Sequence, residues 1–310
     1  MITTVTLNAS VDKMYRLDCP VEVGRVMRVA EVNNSAGGKG LNAARAVVAC
    51  GEEACATGFV GGNNGRTLVE LATADGVTCD FVETESETRC CINAMDANLV
   101  STELLEPGRP VSAGELVRLE GTIYELADRS DAVAFCGSVP AGAPADVYRR
   151  LVDIVKRAGK PCILDTSGKL LVDSLAAAPT MVKPNADEIE AILGKRPEGM
   201  DEIIAAANEV RERYGIEQVV VSLGSEGAVM SHSSGTYRVT PAKIEAVNPV
   251  GSGDTMVGAF AVAMSRGMEP AEQLRFASAC ASANCLTKRT GFFEMSTAER
   301  LMEQTTVTRL

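Results

Sequence analysis

Among the residues of this sequence able to do chemistry, an acid set in a run of small residues stands out: Asn248-Pro249-Val250-Gly251-Ser252-Gly253-Asp254-Thr255. From Met256 the apolar residues Val257, Phe260, Ala261 and Met264 fall on one helical stripe, so a helix is expected to start near Ser252 or Gly253. Glycines let the backbone approach a ligand closely, and the first N–H groups of a helix lack intrahelical partners, so such an end suits an anion, above all phosphate. A carboxylate repels phosphate. Asp254 therefore reads in one of two ways: as an acid that favours the first helical turn, or as a base that takes the proton of a hydroxyl attacking a bound phosphate.

A second glycine-rich helix entry, Ala36-Gly37-Gly38-Lys39-Gly40-Leu41-Asn42, precedes the helical stretch Ala43 to Val48, which Gly51 ends. Lys39 adds a positive charge and Asn42 a neutral amide. The spacing is neither G-x-x-x-x-G-K-[ST] nor G-x-G-x-x-G, which disfavours a Walker loop and a dinucleotide fold. The only histidine, His232, lies in a polar turn-like stretch and cannot by itself anchor a triad or a zinc site. Ten cysteines contain no C-x-x-C pair and mostly fall in apolar segments, as free buried thiols do; Cys90 and Cys91 read as packing residues.

The elements that must position these residues alternate. Strand-like Ile2 to Leu7 ends in Asn8-Ala9-Ser10-Val11-Asp12, and residues 13 to 35 read as short strands carrying Arg16, Arg25 and Arg28. Ala54 to Val60 reads as a strand, Gly61 to Gly65 as a loop and Arg66 to Ala74 as a helix. Residues 88–95 and 100–105 read as a hairpin. Together with 12–36 they could form a small sheet whose apolar side needs cover, as a lid or through a partner subunit. From Ser112 helices and strands alternate, the strands ending at Cys136, Leu164, Val182 and Val221 and each followed by polar or glycine residues. Such strand ends line the ligand crevice of a parallel α/β sheet.

The chain has 310 residues and a net charge of -11 without a basic block, so nucleic acid and anionic membranes are disfavoured as partners. Neither a signal peptide nor a membrane-spanning run is visible, and a cytoplasmic protein is expected.

Gly37-Gly38-Lys39-Gly40-x-Asn42, Lys183-Pro184-Asn185-x-x-Glu188, Ser222-Leu223-Gly224-x-x-Gly227 and Val250-Gly251-Ser252-Gly253-Asp254 occur in that order and resemble the ribokinase-like carbohydrate kinases of the PfkB family over essentially the whole chain. Thr6-Leu7-Asn8-x-Ser10-x-Asp12, Thr88-Arg89 and Gly137-Ser138-Val139-Pro140 look like the branch acting on ketohexose phosphates, which includes 1-phosphofructokinase and tagatose-6-phosphate kinase.

The resemblance implies an α/β, three-layer fold: one kinase domain over 1–310 with a mostly parallel sheet flanked by helices and a β lid from about 12–36 and 88–106. It implies ATP as co-substrate, Mg2+, and a homodimer joined through the lid. By the same resemblance Asp254 would be the catalytic base, with the backbone of Gly251, Ser252 and Gly253 as anion hole. Asp12, Gly37, Gly38 and Asn42 would hold the sugar, while Arg28, Lys39, Arg89 and Ser138 would surround its phosphate. Lys183, Asn185, Ser222, Gly224 and Gly227 would flank the nucleotide phosphates, and Ser282 and Asn284 would border the adenine. Asn185 and Glu188 would hold Mg2+ through water. Cys90 departs from the pattern, standing where relatives often carry a polar residue. Two other readings remain open: a kinase of an unphosphorylated sugar or nucleoside, and a non-catalytic sugar-phosphate sensor. The pair Lys183 and Glu188 also reads as an ordinary cap and a solvated helix face.

Overall fold

The computed structural model describes residues 1–98 and 100–310. Strand β1 (Ile2–Thr6) is followed by β2 (Ser10–Arg16), β3 (Glu31–Gly37), helix α1 (Lys39–Ala49), β4 (Ala54–Val60) and α2 (Gly62–Ala74). The short strands β5 (Thr78–Cys79) and β6 (Val82–Glu83) lead to β7 (Arg89–Met95) and β8 (Ser101–Leu105). Helix then precedes strand: α3 (Ala113–Arg129) and β9 (Ala132–Cys136), α4 (Val147–Arg157) and β10 (Cys162–Asp165), α5 (Gly168–Ser174) and β11 (Met181–Val182). Two helices, α6 (Ala186–Leu193) and α7 (Gly199–Tyr214), precede β12 (Gln218–Ser222). The chain finishes with β13 (Ala228–His232), β14 (Gly235–Thr240), α8 (Ser252–Ser265), α9 (Pro270–Cys285), α10 (Met295–Gln304) and β15 (Thr306–Arg309).

The main sheet runs β15-β14-β13-β12-β11-β10-β9-β1-β4-β5, with β6 also on β4, and is parallel from β12 to β5. Period-two alternation divides its side chains between two cores. Ala132, Ala134, Cys136 and Ile163 face the layer of α1, α2, α8, α9 and α10, whereas Val133, Phe135 and Leu164 face α3 to α7. Strands buried on both faces in this way are the mark of a parallel α/β sheet. A second sheet, in the order β3-β2-β7-β8, stands apart from the first. Among the described residues no helix is long and apolar enough to cross a membrane.

The structure departs from the sequence-based expectation in several elements. Helix α2 starts at Gly62, absorbing the expected loop, because the Glu87 carboxylate accepts the free N–H of Asn64 at 2.5 Å and so caps the helix from a distant segment. Helix α6, read from the sequence only as a cap and helix face at Lys183 and Glu188, is begun by a capping box in which the Asn185 side chain accepts from Glu188 N and the Glu188 side chain accepts from Asn185 N. His232 sits at the end of a strand instead of within a turn, and β13, β14 and β15 extend the sheet in antiparallel fashion.

Helix α8 was expected to show one apolar stripe, yet every residue from Asp254 to Ala263 is buried. It crosses α1 closely: a Cβ built on Gly258 would lie 2.4 Å from the Ala43 carbonyl oxygen. The missing side chain is what lets the two backbones cross so closely. Gly258→Ala is expected to lower stability by about 1–3 kcal/mol, the usual cost of overpacking, read as a fall in the thermal unfolding midpoint. An unchanged midpoint would show that the crossing has slack.

Candidate active site

Because α1 and α8 cross so closely, both open at the same edge of the sheet, where β1, β9, β10, β11 and β12 end. Gly251 caps α8 in the left-handed region (φ 75°), and the Thr290 methyl lies 2.1 Å from where a Cβ would be, so only glycine fits there. Among the described residues the amides of Gly251, Gly253 and Asp254 at the head of the helix have no backbone acceptor, whereas the amide of Ser252, expected in the anion hole, donates to Pro249 O at 3.3 Å. Asp254 is 9% exposed, and its Oδ2 accepts a 2.8 Å hydrogen bond from the Asn42 side chain. Burial raises its pKa, as does the nearby Asp165 carboxylate. The Asn42 bond and the charges of Lys39 and Lys183 pull the other way without cancelling the rise. The result is a carboxylate that is more basic than an ordinary aspartate and held by one oxygen.

Asp165, at the end of β10, has a side chain only 2% exposed and binds two ammonium groups: Lys183 at 3.2 Å and Lys39 at 3.4 Å. Lys183 also approaches the head of α8, its Nζ lying 3.5 Å from a Cβ built on Gly253. Burial opposes the charge of Lys39, but Asp165, Asp254 and Glu188 outweigh it and raise its pKa. The structure thus pairs Lys39 with Asp165 on the Lys183 side of the crevice, where the sequence reading had grouped it with Arg89. Glu188 and Asn185 stand beside this cluster. Burial and Asp165 raise the Glu188 pKa against the bond from Asn185 N. Ser222 ends β12, and Gly224 and Gly227 flank the tight turn that follows.

On the other side Asp12 lies in β2, its Oδ1 accepting from Ser10 Oγ at 2.6 Å. A Cβ on Gly37 would strike the Asp12 carboxyl group, so that glycine makes room for it, and Gly38 follows at the head of α1. Burial raises the Asp12 pKa despite Ser10, Arg89 and Arg45. Arg89 donates to the carbonyls of Asn8 (3.1 Å) and Glu106 (3.0 Å), and the Asn8 side chain donates to Ser138 Oγ at 3.1 Å. No carboxylate pairs with this half-buried guanidinium among the described residues. Arg28 lies exposed between β2 and β3 and joins none of these hydrogen bonds.

Two expected residues turn inward. Asn284 is fully buried, donating to Val250 O at 3.1 Å and accepting from Gly291 N at 2.7 Å, while Ser282 bonds to Ser278 O within its own helix. Neither side chain faces the crevice. Sequence reasoning missed Asp165 and Arg45. An acid at the end of a parallel strand and an arginine within the otherwise small and apolar run Ala43 to Val48 were the available signals. Apart from exposed Cys19, the cysteines behave as packing residues: burial raises the pKa of Cys55 to about 11, and it also raises Cys79, Cys90, Cys136, Cys162 and Cys285.

The profile of the pfkB family carbohydrate kinases matches residues 5–297. The chain belongs to this family. Similar solved structures include phosphofructokinase-2 from Escherichia coli in complex with substrates and products, at 28% identity over 98% of each chain with a TM-score of 0.91. A possible 1-phosphofructokinase from Thermotoga maritima is 26% identical over 100% of this chain and 99% of that one, with a TM-score of 0.89. Ribokinase from Arabidopsis thaliana complexed with ribose and ATP, at 23% identity over 97% and 98% with a TM-score of 0.78, shares the fold. The pfkB chain is therefore a sugar kinase with a ribokinase-like fold, a phosphotransferase with ATP as co-substrate and an alcohol acceptor.

A folded-state pKa above the unfolded value means that ionised Asp254 weakens the fold. Its stabilising contribution is complete below the ordinary aspartate pKa of about 3.9 and is lost as pH rises through the raised value. Asp254→Asn is accordingly expected to unfold at the same or a higher temperature than the wild type at pH 7, with the gap closing below about pH 4. A lower midpoint at pH 7 would contradict this balance.

Proposed function

We propose that this kinase transfers the γ-phosphoryl group of ATP to a primary hydroxyl of a ketohexose monophosphate, giving the 1,6-bisphosphate. The observation that carries the reading is Arg89: a half-buried guanidinium held by two backbone carbonyls, without a carboxylate partner among the described residues, beside Ser138. A neutral acceptor needs no such cation, whereas a sugar phosphate pairs with it by charge-assisted hydrogen bonds. The two phosphofructokinase relatives support the same acceptor class.

Asp12 and Asn42 bind sugar hydroxyls, and the free oxygen of Asp254 takes the proton of the attacking hydroxyl. As that hydroxyl attacks, the amides of Gly251, Gly253 and Asp254 and the ammonium groups of Lys39 and Lys183 stabilise charge on the phosphoryl group. Positioning and electrostatics thus supply most of the catalysis. The turn at Ser222, Gly224 and Gly227 flanks the nucleotide phosphates. Among the described residues no three Asp, Glu, His or Cys side chains converge on one point. A hard, water-rich Mg2+ carried by nucleotide phosphates suits this donor set, with Glu188, Asn185 and intervening water as its contacts. When bound, it neutralises phosphate charge. The second sheet acts as a lid, and its exposed Val32, Leu104 and Leu105 pack against a second copy.

A coupled ADP-release assay with fructose 1-phosphate, tagatose 6-phosphate, fructose 6-phosphate and free fructose, ranked by kcat/KM, tests the acceptor class. A phosphorylated ketohexose is expected to lead, and preference for free fructose would overturn the reading. In the same assay Arg89→Ala is expected to weaken use of the phosphorylated acceptor by about 1.5–3 kcal/mol with little change for free sugar. Asp254→Asn is expected to lose about 10²-fold or more in kcat with ATP binding retained. Full turnover in that variant would remove Asp254 as the base.

A further inference from the structure

Arg45 is a fully charged side chain placed where charge is rarely tolerated: 3% exposed, in the middle of α1, one turn after Asn42. Each part of its guanidinium is engaged. Nε donates to Thr290 O at 3.1 Å, Nη1 to Ala36 O at 2.9 Å and to Asp75 at 3.4 Å, and Nη2 to Asn42 Oδ1. Phe292 lies under it, with the guanidinium carbon 5.6 Å from the ring centre, and Arg289 stacks on the same ring while sharing Asp75.

A guanidinium can only donate. The Asn42 atom facing Arg45 must therefore be oxygen, and the atom facing Asp254 must be the NH2 group. In this way Arg45 fixes the orientation of the amide that grips the base. Without it the Asn42 amide is held at one end only, by the Asp254 carboxylate itself, and is free to swing out of line with that oxygen. The same side chain also controls the anion hole. Thr290, whose carbonyl it holds, places its methyl against Gly251. Gly291 is tied to Asn284, and Asn284 in turn holds the Val250 carbonyl. One guanidinium thus joins the base, through Asn42, to the turn that opens α8.

We infer that Arg45 is a positioning residue for phosphoryl transfer, which acts through Asn42 to aim Asp254 and through Thr290 to hold the Gly251 turn. It touches neither substrate. The inference rests on the kinase reading of this site, and it is indifferent to which sugar is the acceptor.

Arg45→Lys keeps the charge beside Asp75 but cannot reach Asn42, Ala36 and Thr290 together. With the best acceptor of the wild type, it is expected to lower kcat by about 10-fold or more while the KM for ATP stays within about 2-fold, since misalignment of reacting groups is costly. A purely structural role would lower the unfolding midpoint without this split. In an Asn42→Ala background Arg45→Lys is expected to cost much less in kcat than in the wild type, while its effect on the unfolding midpoint persists. Equal kcat losses in both backgrounds, or none in the wild type, would overturn the inference. If Arg45→Lys fails to fold, Asp75→Asn loosens the guanidinium from its far side and is expected to show the same kcat-against-KM split in milder form; its absence counts equally against the inference.

A readout independent of turnover separates this inference from the acceptor assignment. In protein labelled with 15N only at asparagine, the side-chain amide of Asn42, assigned by its loss in Asn42→Ala, is expected to exchange slowly with solvent in the wild type and at least about 10-fold faster in Arg45→Lys, as a loosened hydrogen bond would allow. Unchanged exchange would overturn the positioning role even in a protein for which no acceptor had been found. Normal turnover of an unphosphorylated sugar with the Arg45 effects intact would instead leave this inference standing and remove the ketohexose-phosphate reading.

Discussion

The crossing of α1 and α8 is the constraint on which the site depends. Two helices normally pack with their axes 8–10 Å apart, and residues without side chains at the contact allow the closer end of that range. Here the Gly258 Cα faces the Ala43 carbonyl directly, one residue beyond Asn42 on one helix and one turn beyond Asp254 on the other. The 2.8 Å bond between Asn42 and Asp254 follows from that approach. So does the shared opening of two helix N-termini at one edge of the sheet, which concentrates unpaired amides and positive dipole ends where an anion can be bound. The small side chains of Ala132 and Ala134 on the facing side of β9 belong to the same core and leave room for α8 to sink into it. A helix buried on every side is the consequence.

That burial sets the electrostatics. A carboxylate withdrawn from water is costly to ionise, and Asp165 nearby adds to the cost. Opposing it are Lys39 and Lys183, which Asp165 itself holds in place, and the Asn42 amide. Asp165 thus plays two opposed parts, raising the pKa of Asp254 and anchoring the cations that lower it. The balance leaves Asp254 more basic than a surface aspartate without an immediate ion pair to quench it, as suits a base working beside a phosphoryl group. The Arg89 side of the crevice is simpler: an arginine hydrogen-bonded to carbonyls alone has no carboxylate in direct contact among the described residues, with Asp12 its nearby counter-charge.

Distant segments build the centre of this arrangement. Asn42 and Asp254 are separated by 212 positions, Lys39 and Asp165 by 126, and Arg45 and Thr290 by 245. The chain brings Asn42, Asp254, Lys39 and Asp165 together because each lies at or near the end of an element whose other end is fixed in the sheet or its helical layers, and Arg45, deeper in α1, reaches the loop at Thr290. Short loops at that edge can then carry chemistry while the two apolar cores carry stability.

Much of the architecture was determined by the sequence itself, since the period of apolar residues reports which faces are buried and glycine and polar punctuation reports where elements end. The strand Ala132 to Cys136, the helix opening at Ser252, and the two glycine-rich entries were readable in this way, because each depends on neighbours in the chain. What depends on partners was decided only in three dimensions. Gly62 begins a helix because Glu87 caps it; Asn284 turns inward because Val250 and Gly291 meet its amide; Lys39 binds Asp165 because the end of β10 and the head of α1 meet at one edge of the sheet. Arg45 is the clearest case. Its type and position mark it as unusual for a buried helix, but that it aims Asn42 at Asp254 follows only once α1, α2, α8 and the loop at Thr290 are packed together, since a hydrogen bond is specified by the place of both its atoms and a sequence supplies one at a time.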